Sequence, residues 1–359
     1  MKRFKIFLML LIATLGLFSC SSDDDDERII IDPVEKMSGT FIINQGNYYS
    51  HIVSSVDFIP EDNDTVFNKI FLSENGITPG NTLQAGIVYD GKVYMIAYES
   101  NVMFVASADN LKLQNSVMIE SPRALAADDN YVYVSNFTGY VTRYDVKSQT
   151  IKDSVKVGSN PEEMAIANGY LYVTNSDGLN YMGGYSNGKS VSKVRLSDFK
   201  VEKTIPVGLN PSRACADADG NVYIIANGDY ATVPSMIQKI DSQDNVSDVA
   251  EASYMCTDGE TLYGVLVKTE DWLTYDNDYF KIDLHTGKRT DDIFKECVDY
   301  PTNIGINPKT KHVFVTSCHN IAGMIDYNGA GYVNEYDNSG NLIKSYSTGV
   351  TPISMFFTK

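Results

Sequence analysis

Residues 158–175 read GSNPEEMAIANGYLYVTN, and this stretch decides the fold. A Gly-Ser-Asn-Pro start leads into an apolar run, which ends at Asn168-Gly169. A second run, Leu171-Tyr172-Val173, follows at once. Asn-Gly between two alternating runs is typical of a tight β-hairpin. The stretch therefore predicts two antiparallel strands joined by a two-residue turn.

The second strand of this hairpin recurs along the chain. Its seven copies begin at Phe41, Val93, Val132, Leu171, Val222, Leu262 and Val313. Successive copies start 39 to 52 residues apart, which is the length of a propeller blade with insertions in some copies. Two further strands follow each hairpin, the first of them ending in Asp, as at Asp145 and Asp241. We name the four strands a, b, c and d from the inside outward.

The phase of the repeat predicts how the array ends. The chain enters the first sheet in strand b at Phe41 and finishes in strand a at Pro352–Phe357. Pairing of this last strand with the first sheet would leave no open edge, which is otherwise an aggregation hazard. The expected fold class is all-β: a seven-bladed β-propeller over residues 39–359, closed by its C-terminal strand. A linear stack of hairpins would show the same period, but it would not require the chain to begin in strand b and end in strand a.

Composition limits the classes of function. The 359 residues are 43% hydrophobic, which excludes wholesale disorder, and 29 Lys and Arg face 46 Asp and Glu. A net charge of −17 argues against a nucleic-acid partner, because clustered cations dominate phosphate binding. The spacing of the cysteines predicts no metal site. Cys297 precedes strand a and Cys318 follows strand b of the same blade, so a disulfide between them is a further expectation.

The amino terminus has the pattern of a targeting signal. Basic residues precede an apolar run over 6–18, which predicts a secretory signal peptide at residues 1–19. The small residue before Cys20 resembles the lipobox of bacterial lipoproteins, which implies a lipidated Cys20 followed by a tether over 20–38. The acidic run at 23–27 resembles the surface-export signal of Bacteroidetes lipoproteins. The alternatives are a plain secretion signal and a solvated acidic spacer.

The long insertions mostly follow strand b and should gather on one face of the disk. They span 46–53, 176–191, 228–236, 267–278 and 318–331. Elaborated loops on a rigid scaffold often carry function, and tyrosines there suit a broad amphipathic ligand. The candidate ligand-binding residues, which include the single Trp and two arginines after strand-a prolines, are Asn47, Tyr48, Tyr49, Arg123, Asn180, Tyr181, Tyr185, Arg213, Tyr230, Trp272, Tyr275 and Tyr327. The alternatives are that the aromatics cap blade ends and that the arginines neutralise local carboxylates.

Signals of catalysis are sparse. His51 and His319 fall in loops of adjacent blades, so a histidine pair is conceivable. No nucleophile elbow, His-Glu-x-x-His motif or phosphate loop accompanies them. We therefore expect a binding protein rather than an enzyme, with no catalytic residue and no cofactor of its own.

The pattern Gly-x-x-Pro, strand, Asp-Gly, Leu-Tyr-Val-x-Asn resembles YncE-like seven-bladed propellers over residues 39–359. FIINQGN at 41–47, directly after the acidic tether, resembles DUF5074-type Bacteroidetes surface lipoproteins, and within them the cobalamin-capturing BtuG family. This resemblance implies a lipid-anchored protein on the outer-membrane surface. Such a protein would capture cobalamin or another corrinoid and pass it to a TonB-dependent receptor. Glycan binding, a lyase activity like that of virginiamycin B lyase, and a structural surface role are the alternatives.

Overall fold

Residues 36–62, 65–269 and 274–358 are described by the computed structural model, and they form a β-propeller of seven blades. The predicted signal peptide, Cys20 and residues 20–35 of the tether lie outside the described residues. Within the described ranges, no helix has the length and hydrophobicity that a membrane span requires.

The strands in chain order are β1 (Gly39–Asn44), β2 (Ser55–Pro60), β3 (Leu83–Tyr89), β4 (Lys92–Ala97), β5 (Val102–Ser107), β6 (Leu113–Met118), β7 (Pro122–Asp128), β8 (Tyr131–Asn136), β9 (Tyr140–Asp145), β10 (Thr150–Lys156), β11 (Pro161–Ala167), β12 (Tyr170–Asn175), β13 (Ser190–Arg195), β14 (Lys200–Pro206), β15 (Pro211–Ala216), β16 (Val222–Ala226), β17 (Met236–Ile240), β18 (Val246–Glu251), β19 (Tyr254–Thr257), β20 (Thr261–Lys268), β21 (Asp276–Asp283), β22 (Arg289–Asp291), β23 (Tyr300–Ile306), β24 (Val313–Cys318), β25 (Asn320–Ile321), β26 (Met324–Ile325), β27 (Ala330–Tyr336), β28 (Leu342–Val350) and β29 (Pro352–Phe357). The helices are α1 (Ile70–Asn75) and a 3₁₀ turn (Tyr181–Gly183).

Each blade is one antiparallel sheet. Blade 1 consists of β29, β1 and β2, and blades 2 to 6 take β3–β6, β7–β10, β11–β14, β15–β18 and β19–β22. Blade 7 takes β23, β24, β27 and β28, and β25 pairs with β26 in a small hairpin within it. The inner strands contact one another in sequence, and β29 contacts β3, so the ring is closed.

Closure by the C-terminal strand is confirmed. β29 pairs with β1 in antiparallel register, with Phe356 opposite Phe41. The Thr358 amide then donates to the Gly39 carbonyl oxygen at 3.0 Å, and the Gly39 amide donates to the Thr358 hydroxyl at 2.7 Å. The two ends of the ring are therefore joined by one hydrogen bond between backbone groups and one from a backbone amide to a side chain.

Blade 1 corrects one expectation, because its described residues form three strands rather than four. At the outer position of this described part, Phe67 pairs with Phe58 in an isolated bridge, and α1 follows. The buried carboxylate of Asp57 accepts from the Asn44 side chain and from the Lys69 and Gly349 amides, each at 2.8 Å. It thus ties β2 to the segment that replaces strand d and to β28 of blade 7.

The core lies between the blades. Six described clusters each join facing sheets of two neighbouring blades. In one of them Tyr94 of blade 2 packs edge-on against Tyr144 of blade 3, with ring centroids 6.0 Å apart. Burying such side chains contributes about 1.5–3 kcal/mol each. No blade can bury both of its faces without its neighbours.

A left-handed residue precedes the inner strand in five blades. Thr82, Ser121, Asn160, Asn210 and Thr351 have φ between 43° and 57°. Each carbonyl accepts from the amide of the residue that follows strand b, at 2.9–3.2 Å. The left-handed φ at this position explains why Asn stands before Pro at Asn160 and Asn210, since Asn tolerates that conformation better than most residues.

The aspartates at the ends of these strands act in turns. Asp241 accepts from the amide and side chain of Asn245, both at 2.9 Å. Asp337 repeats this arrangement with Asn341. These hydrogen bonds lower the pKa of both carboxyls.

The expected disulfide is not formed. Cys297 is exposed, with its Sγ directed at the Phe294 carbonyl oxygen, whereas Cys318 is buried at the end of β24. Cys215 and Cys256 are also free thiols in the described part of the chain, on the inner strands of blades 5 and 6. Burial raises the pKa of Cys318 to about 11, which keeps that thiol protonated and unreactive at neutral pH.

Candidate functional site

Five long connections follow strand b, as predicted. Four of them occupy 45–54, 176–189, 227–235 and 319–329, and the fifth joins β20 to β21. Antiparallel sheets arranged in a ring place these connections on one face of the disk, which we call the loop face. The Asn47 side chain donates to the Asn328 side-chain oxygen at 2.8 Å, so the loops of blades 1 and 7 are braced against each other.

The loop face opens into a central cavity of about 530 Å³. Residues at the start of the inner strand of all seven blades line it, among them Gln84, Arg123, Glu162, Arg213 and Ser354. A second cavity of about 540 Å³ lies beside it, over blades 5 and 6. The two cavities share six lining residues: Ser212, Arg213, Asn227, Tyr230, Tyr254 and Tyr300. The two cavities adjoin along these residues, and we call the pair the double cavity.

Four charged side chains form two ion pairs at its wall. Arg123 binds Glu162, with Nε 3.0 Å from one carboxylate oxygen, and Arg213 binds Glu163 at 2.7 Å. Burial raises the pKa of Glu162, although Arg123 opposes the effect. The two predicted arginines do line the site, but each also neutralises a carboxylate of blade 4.

Aromatic side chains make up much of the remaining wall. Tyr275 packs edge-on against Tyr300 with centroids 4.9 Å apart, and the Arg213 guanidinium lies 5.2 Å from the Tyr254 ring. Tyr230, which is 60% exposed, borders both cavities, and its ring contacts Tyr185. Tyr and Arg on a concave surface are typical of ligand sites.

Sequence reasoning missed four of these residues. Glu162 and Glu163 follow Pro161 just as Arg123 follows Pro122, so the same position in the repeat carried the signal. Tyr254 and Tyr300 open the inner strands of blades 6 and 7. Because neither follows the Gly-x-x-Pro pattern, their place at the cavity was not evident.

Of the other predicted residues within the described ranges, all except Tyr327 line neither cavity. Tyr327 lines the central cavity, and Tyr48 and Tyr49 stand exposed on the hairpin of blade 1, with Tyr49 91% exposed. The Asn180 side chain donates to Asp177 and so holds its own loop, on which Tyr181 is exposed. Trp272 lies outside the described residues.

The histidines do not form a pair. The His319 ring stacks on Tyr332 with centroids 4.6 Å apart, and its Nδ1 lies 3.4 Å from Asp299. No hydrogen bond or ring contact joins it to His51 within the part of the chain that the structure describes. The same part contains no group of three or more His, Cys, Asp or Glu residues placed to hold a metal ion.

A family model describing a domain of unknown function, DUF5074, matches residues 38–357, which is nearly the whole propeller. The chain belongs to the DUF5074 family. No curated protein shows significant similarity to this DUF5074 chain.

Solved structures of other propellers resemble it. Hydrazine synthase of Kuenenia stuttgartiensis gives a TM-score of 0.60 at 15% identity, with 75% of this chain and 87% of that chain covered. A quinonprotein alcohol dehydrogenase-like protein from Bacteroides thetaiotaomicron gives 0.61 at 18% identity, with 89% and 78% covered. These identities show a shared fold and nothing about chemistry.

Proposed function

We propose that this DUF5074 protein captures a bulky ligand in the double cavity, and that the ligand is cobalamin or another corrinoid. The observation that carries the proposal is the joining of two cavities, each of about 530–540 Å³, by shared tyrosines and Arg213. A corrinoid is broad and bears carboxamide arms on apolar edges. Tyrosine rings can contact the edges, and arginine and Asn227 can hydrogen-bond the arms.

We propose a binding role rather than a catalytic one. Arg123 and Arg213 of the cavity wall pair with Glu162 and Glu163. They are therefore not poised as an isolated acid and base. The pairs make the wall nearly neutral, which suits a ligand whose polar groups are mostly amides.

We also propose that the protein is lipid-anchored at the outer-membrane surface and delivers its ligand to a TonB-dependent receptor. The sequence features of residues 1–27 support the anchor. Exposed apolar side chains on the loop face support a protein partner; they include Tyr48, Tyr49, Leu179, Tyr181, Met182, Ile321 and Met324. These side chains lie on the long loops of blades 1, 4 and 7.

The test is binding of cyanocobalamin by the purified protein that begins at Ser21, measured by calorimetry and by co-elution of the red ligand. Replacing Tyr230 with Ala removes a ring shared by both cavities and is expected to weaken binding about tenfold or more, which is about 1.4 kcal/mol. Tyr140→Ala is the matched control, because Tyr140 is 38% exposed and lines neither cavity. Its affinity should equal that of the wild type.

Two outcomes would overturn the proposal. One is the absence of cyanocobalamin binding by a folded wild-type protein, particularly if the protein is instead retained on a polysaccharide gel. The other is equal loss of affinity in the Tyr230 and Tyr140 variants, which would place the ligand elsewhere.

A further inference from the structure

Arg213 holds a unique position in the double cavity. Of the described side chains that line the two cavities, it is the one cation common to both. It stands at the start of β15, where the two cavities meet beside Tyr254. A ligand that occupies both cavities must pass this guanidinium.

Arg123 offers a comparison within the same wall. Its Nε and Nη2 both donate to Glu162, at 3.0 and 3.2 Å. Its guanidinium also lies 4.2 Å from the Phe137 ring and 5.4 Å from the Tyr98 ring. Two parallel hydrogen bonds and two aromatic contacts fix this side chain in place. The Nε and Nη2 donors of Arg123 are thus occupied by contacts within the cavity wall.

Arg213 makes fewer hydrogen bonds to the described residues of the wall than Arg123 does. Only its Nη1 donates to Glu163, at 2.7 Å, and the described part of the chain shows no hydrogen bond from its Nε or Nη2. The Glu163 carboxylate has a second donor, the Ala214 amide at 3.1 Å. The carboxylate therefore keeps a partner if Arg213 turns toward a ligand, and an anion at Nε and Nη2 need not break the ion pair.

The charge of Arg213 is secure. Burial opposes the charged form, but Glu163, Tyr254 and Glu162 together outweigh it and raise the pKa of Arg213. A planar guanidinium whose Nε and Nη2 make no hydrogen bond within the described residues matches two oxygens of a phosphate or carboxylate, a geometry that lysine cannot reproduce. The cavity wall thus holds one preformed half-site for an anionic group.

We infer that Arg213 recognises an anionic oxygen group of the ligand, and that in a corrinoid this group is the phosphodiester of the nucleotide loop. The inference rests on the proposed function. It makes Arg213 the residue that discriminates between complete corrinoids and corrinoids without a nucleotide loop. Arg123 has no such role, since its Nε and Nη2 both donate to Glu162.

The experiment compares cyanocobalamin with dicyanocobinamide, which lacks the phosphodiester and its nucleotide. The wild type should bind cyanocobalamin at least about tenfold more tightly than cobinamide. Arg213→Gln should abolish most of this preference by weakening cyanocobalamin alone, and Arg213→Lys should restore only part of it. Arg195→Gln is the control, because Arg195 also pairs with a glutamate, Glu202, but lies at the far end of β13.

Each result separates the inference from the proposed function. If the folded wild type binds neither corrinoid, the proposed function fails, and the inference fails with it. If it binds both and Arg213→Gln weakens both equally, ligand capture stands but the assignment to the phosphodiester is wrong. Unchanged affinities in Arg213→Gln, with thermal stability equal to that of Arg195→Gln, would likewise overturn it.

Discussion

At the scale of single residues, Asp57 is a fully buried carboxylate. Its two oxygens accept three hydrogen bonds, from the Asn44 side chain and from the Lys69 and Gly349 amides. Asp57→Asn turns one oxygen into a donor that faces another donor, which costs about 1–3 kcal/mol. Urea unfolding should show this loss. The control is Asp291→Asn, because Asp291 is exposed and pairs with Arg289 at the surface. This change should lower the free energy of unfolding by less than about 0.5 kcal/mol.

Individual site residues were predictable where the repeat fixes their position. Arg123 and Arg213 follow the proline that opens an inner strand, so their place at the mouth of the ring could be read from the sequence. Their partners could not. Glu162 and Glu163 are adjacent in sequence, yet each binds an arginine of a different neighbouring blade. Such pairings depend on side-chain directions across blade interfaces, which the spacing of motifs does not specify.

At the scale of elements, the left-handed residue before the inner strand should tune stability. Ser121 has φ 47°, whereas the equivalent Asn160 has φ 43° and its side chain also donates to the Phe137 carbonyl oxygen at 2.8 Å. Ser121→Asn should therefore stabilise the protein by about 1 kcal/mol, because Asn tolerates this conformation. Asn160→Ser should destabilise it by a similar amount. Thermal unfolding of both variants checks the prediction, and a change of the same sign in both would contradict it.

Strands and turns were predictable because their signals are local. Asn168-Gly169 makes the turn that the dipeptide indicates, and the long loops follow strand b in the expected blades. The missing fourth strand of blade 1 was not predictable. Residues 61–69 carry no clear strand pattern, and what covers the edge of β2 depends on Asp57 and α1, which are non-local contacts.

At the scale of the whole molecule, the closed ring was predictable because phase is a global property of the repeat. A chain that starts in strand b and ends in strand a has one place left for its last strand, and β29 occupies it. The double cavity was only partly predictable. The loop face follows from the topology, but the meeting of two cavities at Arg213 depends on how blades 5 and 6 are spaced.

The closure also makes a prediction about cooperativity. Phe356 stacks on Phe41 with centroids 4.7 Å apart, and it fills the space over Gly86 of blade 2, where an added Cβ would lie 2.4 Å from the ring. Phe356→Ala leaves the backbone pairing of β29 intact and should cost about 3–5 kcal/mol while the fold persists. Deleting residues 352–359 instead exposes one edge of β1 and uncovers the inner strands β3 of blade 2 and β23 of blade 7.

That deletion should abolish the single cooperative unfolding transition and yield aggregated protein, as judged by calorimetry and gel filtration, because an unpaired strand edge recruits other chains. Ile343→Ala, on an exposed part of β28, serves as the control and should change stability by less than about 0.5 kcal/mol. A truncated chain that stayed monomeric and unfolded cooperatively at the wild-type temperature would mean that the other six blades hold the ring without the last strand. The joined termini would then be a consequence of the fold rather than a condition for it.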